Sequence, residues 1–264
     1  MIPSSGLSYM VLGSSSSGNC TAVTDGTTMV LVDAGLPLGY ISENLDRSFR
    51  DLSVSGVFVS HEHSDHIRSV IPLSRRYGCP IYASKPVMWV IDPKGVLKAV
   101  HIAGGETLSV GSMKVTPVPV SHDAIEPFGF LIEGGGRKLG IATDLGCFDE
   151  EFLQKFSDLD YLVIESNYDP DMLKRGPYPR DLKFRIEDRA GHLSNNQCGE
   201  LLCRIAGPRL KQVVLAHLSE ENNDPLLAIE TNLSAICELE TRPELWVSYP
   251  RTPTPLYGDP LRPP

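Results

Sequence analysis

The stretch that decides the fold is Ser60-His61-Glu62-His63-Ser64-Asp65-His66, which follows the apolar run Val57-Phe58-Val59. A short apolar run of this kind reads as a buried strand, and the apolar spacing from Ile67 to Tyr77 predicts a helix after it. The four ligand-type side chains His61, His63, Asp65 and His66 therefore fall on a strand-to-helix turn. Imidazole and carboxylate donors suit zinc, manganese or iron, and their density here points to a bound cation rather than to a polar, solvated turn. Glu62 and Ser64 point off that set and are read as structural or as outer supports of the ligands.

Toward the N-terminus, Tyr9-Met10-Val11-Leu12 reads as a strand ending in a loop of small residues, Gly13-Ser14-Ser15-Ser16-Ser17-Gly18-Asn19. Thr21-Ala22-Val23 and Met29-Val30-Leu31-Val32 read as a hairpin around Asp25-Gly26. Asp33-Ala34-Gly35 closes that hairpin, and Ile41, Leu45 and Phe49 fall at helical spacing before the ligand turn. Asp33 either hydrogen-bonds a ligand histidine or caps its own turn.

Toward the C-terminus, three further predicted strands end at ligand types. His122 follows Val118-Pro119-Val120-Ser121, Asp144 follows Ile141-Ala142-Thr143, and His217 follows Val213-Val214-Leu215-Ala216. Tyr161-Leu162-Val163-Ile164 ends at Glu165, and Ser194 or Asn195 caps a helix through Leu201 and Ile205. A last helix is predicted from Pro225 to Leu239, and a last strand at Leu245-Trp246-Val247. His101 fits no pattern and is read as an ordinary histidine.

The 264 residues suit one α/β domain over 1–249, followed by a tail over 250–264 that holds six prolines and reads as an irregular arm or a disordered end. Apolar content of 41% and charged content of 22% are those of a soluble globular chain. With neither a basic, apolar start nor a membrane-length segment, the expectation is a cytoplasmic protein with no membrane partner. Six cysteines without a C-x-x-C pair read as reduced thiols. A net charge of −9 argues against a wholesale basic nucleic-acid binder, while a local patch or bound cations can still receive phosphates.

The H-x-H-x-D-H string at 61–66 resembles the signature of the metallo-β-lactamase superfamily. The strand-rich segments 7–142 and 161–248 are similar in order and content to its αββα four-layer sandwich, an α/β (α+β) fold. The resemblance implies two divalent metal ions, zinc or manganese with iron as a further candidate. His61, His63 and His122 would hold one, Asp65, His66 and His217 the other, and Asp144 would bridge them. Two such ions lower the pKa of a bridging water and clamp the oxygens of a displacement, which is hydrolytic machinery. Asp65 could also orient the hydroxide or take up its proton.

Cleaving a phosphodiester further requires protonating a departing alkoxide. Gly191-His192-Leu193-Ser194 and Ile164-Glu165-Ser166-Asn167 look like the histidine and its supporting glutamate in the phosphodiesterase branch that includes tRNase Z. The alternative leaves Glu165 capping its strand and His192 capping a helix. Segment 172–190 carries Lys174, Arg175, Arg180, Lys183, Arg185 and Arg189 against three carboxylates. It reads as a grip on a phosphate backbone or as a solvated basic loop, with Tyr168, Tyr178 and Phe184 stacking on bases or packing. Loop residues Ser15, Ser16 and Asn19 either meet a terminal phosphate or belong to a plain turn.

The strings Glu165 to Asp169, Gly176 to Pro179, Gly191 to Asn195 and Gly13 to Asn19 are similar to the YycJ/WalJ group of bacterial metallo-hydrolases, a resemblance spanning nearly the whole chain before the tail. It implies a 5′-to-3′ exonuclease acting on DNA, with a role in DNA repair. A small-molecule metallo-hydrolase (thioesterase, lactonase or cyclic-nucleotide phosphodiesterase) is the alternative. The complete ligand set argues against a non-catalytic scaffold.

Overall fold

The apolar runs around the ligand turn form strands covered on both faces. The computed structural model describes residues 6–92, 94–95 and 98–259. The chain divides into two units, one of Met1–Pro119, Ala124–Lys138 and Tyr249–Pro264, the other of Val120–Asp123 and Leu139–Ser248.

Unit 1 opens with β1 (Ser8–Gly13), β2 (Cys20–Thr24) and β3 (Met29–Val32), which pair antiparallel. Helix α1 (Leu38–Ser48) then carries the chain to β4 (Val54–Phe58), parallel to β3. Every residue of β1 to β3 is buried, as continuous apolar runs demand. Ile41 and Leu45 of α1 join Leu12, Leu31 and Val57 in the core. The chain continues through α2 (Ser64–Ile67), α3 (Val70–Tyr77), β5 (Ile81–Ala83), α4 (Lys85–Ile91) and β6 (Ala99–His101). These strands complete the order β14-β1-β2-β3-β4-β5-β6, where β14 is Tyr257–Gly258. In the same unit β7 (Leu108–Val110), β8 (Met113–Pro119) and β9 (Phe128–Gly134) form an antiparallel run.

The helix expected from Ile67 to Tyr77 is interrupted at Ser69. Its N–H and hydroxyl donate to Ala34 O (2.7 Å) and Leu36 O (2.6 Å) instead of continuing α2. Pro72, in the first turn of α3, has no N–H with which to bridge the break.

The C-terminal segment, expected to be an irregular arm or a disordered end, is largely irregular but tied to β1. Tyr257 and Gly258 pair with Tyr9 and Ser8, and Thr254 N donates to Val11 O at 2.9 Å. Arg137 Nε meets Asp259 Oδ2 at 2.7 Å. Unit 1 resumes at Tyr249, so through residue 259 the segment belongs to it; 260–264 lie outside the described residues.

Unit 2 is a parallel run of β10 (Arg137–Ala142, from Leu139), β11 (Tyr161–Glu165), β12 (Gln212–Ala216) and β13 (Glu244–Val247). Its helices are α5 (Glu150–Lys155), α6 (Pro170–Arg175), α7 (Arg180–Glu187), α8 (Asn195–Ile205) and α9 (Pro225–Ala235). Ser194 caps α8 in a reciprocal box with Gln197. Helices α6 and α7 occupy the segment read as a basic loop. Asp169 caps α6 by accepting from Met172 N at 2.9 Å, and α7 buries no side chain. Among the described residues no helix is long and apolar enough to cross a membrane.

Candidate metal centre

In unit 1 the ligand turn hangs on a buried carboxylate. Asp33 follows β3 in the left-handed region (φ 61°), a conformation that aspartate tolerates better than most residues. Its carboxylate accepts from Ser60 N (2.8 Å), from Ser60 Oγ (2.9 Å) and from His66 Nδ1 (2.8 Å). With Nδ1 committed to Asp33, His66 presents Nε2 as its lone-pair nitrogen. Ser60 Oγ also lies 3.0 Å from His61 Nδ1. The His61 ring centroid is 4.6 Å from that of His63 and 4.1 Å from that of His66, and Asp65 Oδ2 is 3.3 Å from His66 Nε2. Backbone contacts fix the turn: Asn19 N donates to Asp65 O and Ala34 N to His66 O, each at 2.8 Å. Gly35 packs so closely that a Cβ there would fall 1.5 Å from Asp65 O. Glu62 turns away and accepts from Ile125 N at 3.1 Å, as its off-set position implies.

In unit 2 the hub is Glu165, fully buried at the end of β11. Oε1 accepts from His217 Nδ1 (2.7 Å), His192 Nδ1 (2.9 Å) and Asp144 N (3.3 Å). Oε2 accepts from Leu145 N (2.9 Å) and Leu193 N (3.0 Å). Burial alone would raise the carboxyl pKa, but His192 and His217 hold it well below the usual carboxylate range. Burial alone would lower the His192 pKa, yet Glu165 and Asp144 leave it raised. At His122 burial wins over Asp144, and the pKa is lowered.

Asp144 and His217 also adopt left-handed backbone (φ 57° and 54°), which turns each side chain off its strand end. Asp144 Oδ1 lies 3.6 Å from both His122 Nε2 and His217 Nδ1. His122 Nδ1 donates to Gly191 O at 3.0 Å, which leaves Nε2 as the nitrogen that could take a cation. One ligand-type atom from each of Asp144, Glu165, His192 and His217 lies within 4.8 Å of the others. Asn167 Nδ2 donates to His217 O at 2.7 Å and steadies that backbone.

These donor sets fit divalent cations. His66, His122 and His217 each commit Nδ1 to a carboxylate or carbonyl, the outer support typical of metal-ligating imidazoles, and each thereby keeps Nε2 for a cation. The sequence suggested Asn19 as a phosphate contact and gave Ser60 and Asn167 no role in the site; their contacts here come from folding. It also paired Glu165 with His192 alone, whereas Glu165 supports His217 as well.

The expected substrate contacts divide. Ser15 and Asn19 are buried, and Ser14, Ser17, Gly18 and Asn19 spend their N–H groups on partners within unit 1. Ser16 is exposed. Lys183 Nζ is committed to Lys174 O and Gly176 O, both at 2.8 Å, and so supports the α6–α7 turn. Lys174, Arg175, Arg180 and Arg185 are exposed; Arg175 lies 3.7 Å from Asp171, Arg185 pairs with Asp123, and Arg180 sits 5.1 Å over the exposed ring of Phe184. His101 is exposed on β6.

Strand-end histidines and aspartates backed by buried carboxylates define a metal-dependent hydrolase of the metallo-β-lactamase class. The chain belongs to that superfamily: residues 28–218 match the family described as "Beta-lactamase superfamily domain". It is 33% identical over 237 residues to Exodeoxyribonuclease YycJ of Bacillus anthracis, covering 84% of this chain and 86% of the relative. It is 32% identical over 264 residues to Exodeoxyribonuclease WalJ of Streptococcus pneumoniae, covering 95% and 97%. Among solved structures, the metallo-β-lactamase fold protein YhfI from Bacillus subtilis superposes with a TM-score of 0.73 at 16% identity, covering 94% of this chain and 99% of that one. The fold expected from the ligand turn is the fold of these proteins.

Proposed function

We propose that the chain is a two-metal phosphodiesterase that shortens DNA from the 5′ end and serves DNA repair. The observation that carries this reading is the His192–Glu165 pair: Nδ1 is held by a buried carboxylate at 2.9 Å while the imidazole keeps a solvent-facing edge. Carbonyl esters and thioesters do not need a dedicated acid for a poor leaving group, whereas an alkoxide leaving phosphorus does. The exodeoxyribonucleases to which the chain is similar support the choice of DNA.

The side chains that would hold the cations are His61, His63, Asp65 and His66 of unit 1 and His122, Asp144 and His217 of unit 2. Zinc, manganese and iron all suit these donors. When bound, a pair of divalent cations supplies an activated water and neutralises the phosphoryl oxygens. His192 then gives its Nε2 proton to the departing oxygen, and Glu165 keeps the ring in that orientation. Asp65 orients the attacking water. Exposed Lys174, Arg175, Arg180 and Arg185 receive the phosphate backbone. Helix α7 reaches His192 through the bond from His192 N to Ile186 O (3.0 Å), so a strand lying along α7 leads to the acid.

The test is a time course on 5′-phosphorylated, 3′-labelled single-stranded DNA with Mn²⁺ or Zn²⁺. Wild type should shorten it stepwise from the 5′ end. His192→Ala should be slower by about 10²–10⁴-fold while retaining its metal. Metal-loaded protein that degrades neither DNA nor RNA would sink the proposal.

A further inference from the structure

Asn19 ends the small-residue loop and is buried, 4% exposed, so it does not reach a substrate in solvent. Its surroundings are instead those of the ligand turn. Asn19 N donates to Asp65 O at 2.8 Å, and Asn19 O accepts from Gly35 N at 2.9 Å. The side-chain amide is oriented by Ser14, whose hydroxyl donates to Asn19 Oδ1 at 2.7 Å. That orientation turns Nδ2 toward three acceptors: Ser15 O at 3.1 Å, Asp65 Oδ2 at 3.3 Å and His66 Nε2 at 3.1 Å.

An amide NH₂ has two hydrogens, so it cannot satisfy three acceptors at once. Because His66 Nδ1 is spent on Asp33, Nε2 is the nitrogen a cation would take. Once it is taken, the two hydrogens match the two acceptors that remain, Ser15 O and Asp65 Oδ2. We propose that Asn19 is a positioning residue for the metal centre: its amide holds Asp65 Oδ2, oriented by Ser14, and relinquishes His66 Nε2 when a divalent cation binds. The inference rests on the reading that Asp65 and His66 are ligands, and it assigns the small-residue loop to metal retention rather than to phosphate binding.

The test titrates metal-free protein with Zn²⁺ and separately with Mn²⁺ against a chromophoric chelator, with no DNA present. Outer-shell partners of metal ligands are typically worth 10–100-fold in affinity. Asn19→Ala should therefore bind about 10–100-fold more weakly. Asn19→Asp, which puts an acceptor and a negative charge against Asp65, should lose more than Asn19→Ala. Ser14→Ala, which keeps the amide but frees its orientation, should lose less, and Ser16→Ala in the same loop should bind like wild type. Thermal unfolding of each metal-free variant separates a folding defect from lost affinity. Wild-type affinity in Asn19→Ala, or a loss that merely tracks unfolding of the metal-free protein, would overturn the assignment. Failure of wild type itself to bind either cation would instead strike the metal-centre reading beneath it.

Discussion

Unit 1 presents its proposed ligands in one turn of six residues, whereas unit 2 presents His122, Asp144 and His217 after separate strands. Each set is organised by a buried carboxylate, but the loads differ. Asp33 accepts from one backbone N–H, one hydroxyl and one imidazole. Glu165 accepts from three backbone N–H groups and two imidazoles. Where chain connectivity already brings ligands together, the carboxylate only orients them. Where it does not, the carboxylate must also hold the strand ends, so more of the local stability passes through it.

The largest expected effect follows from that difference. Glu165→Ala leaves five donors without their acceptor and should cost about 3–5 kcal/mol, the range for breaking buried charged pairs. Asp33→Ala should cost about 2–3 kcal/mol, counting one charged and two weaker hydrogen bonds. Urea unfolding of the metal-free variants measures both, and an Asp33→Ala cost equal to or above that of Glu165→Ala would break the comparison. Labelling of buried thiols would sharpen it, because Cys20 lies in unit 1 and Cys198 in unit 2, both with pKa values pushed up by burial. In Glu165→Ala, Cys198 should label faster while Cys20 keeps its wild-type rate.

Next in size is Gly35→Ala, where the added methyl would overlap Asp65 O and must displace the ligand turn. Overpacking of this kind costs about 1–3 kcal/mol, and cation affinity should fall with it. Gly39→Ala in α1, with nothing within 4 Å of the added methyl, is the control and should be neutral or stabilising.

The smallest effects on stability belong to the basic face of unit 2. Lys183→Ala should cost about 1 kcal/mol through its two carbonyl bonds. Arg180→Ala and Phe184→Ala should stay within about 0.5 kcal/mol of wild type. On single-stranded DNA the order reverses: Phe184→Ala should weaken binding several-fold, and Arg180→Ala should lower the salt dependence by about one ion. Binding isotherms at several salt concentrations check both.

Much of this was legible in the sequence because the relevant signals are local. The ligand turn is contiguous, and the ligands of unit 2 stand directly after apolar runs, where strands must end. What escaped depends on folding. The Glu165–His192 pair was expected from the resemblance, but Glu165 also reaches Asp144 and His217, 21 and 52 residues away in the chain, and no spacing rule reports those bonds. Helix α7 has no fully buried side chain, and its apolar residues Leu182, Phe184 and Ile186 alternate instead of recurring at helical spacing. The strand at Tyr257–Gly258 is too short for periodicity and sits among prolines. Asn19 looked like part of a flexible phosphate loop because its partner, Asp65, lies 46 residues away.

The central claim is the proposal that the chain holds two divalent cations on these histidines and aspartates. Counting metal per chain by elemental analysis, after loading and desalting, tests it most directly in wild type, His61→Ala, His217→Ala and Asp144→Ala. Two ions in wild type, with fewer in each single variant and the greatest loss in Asp144→Ala, is the predicted result. Wild type that retains no ion, or variants that all keep the wild-type count, would contradict it.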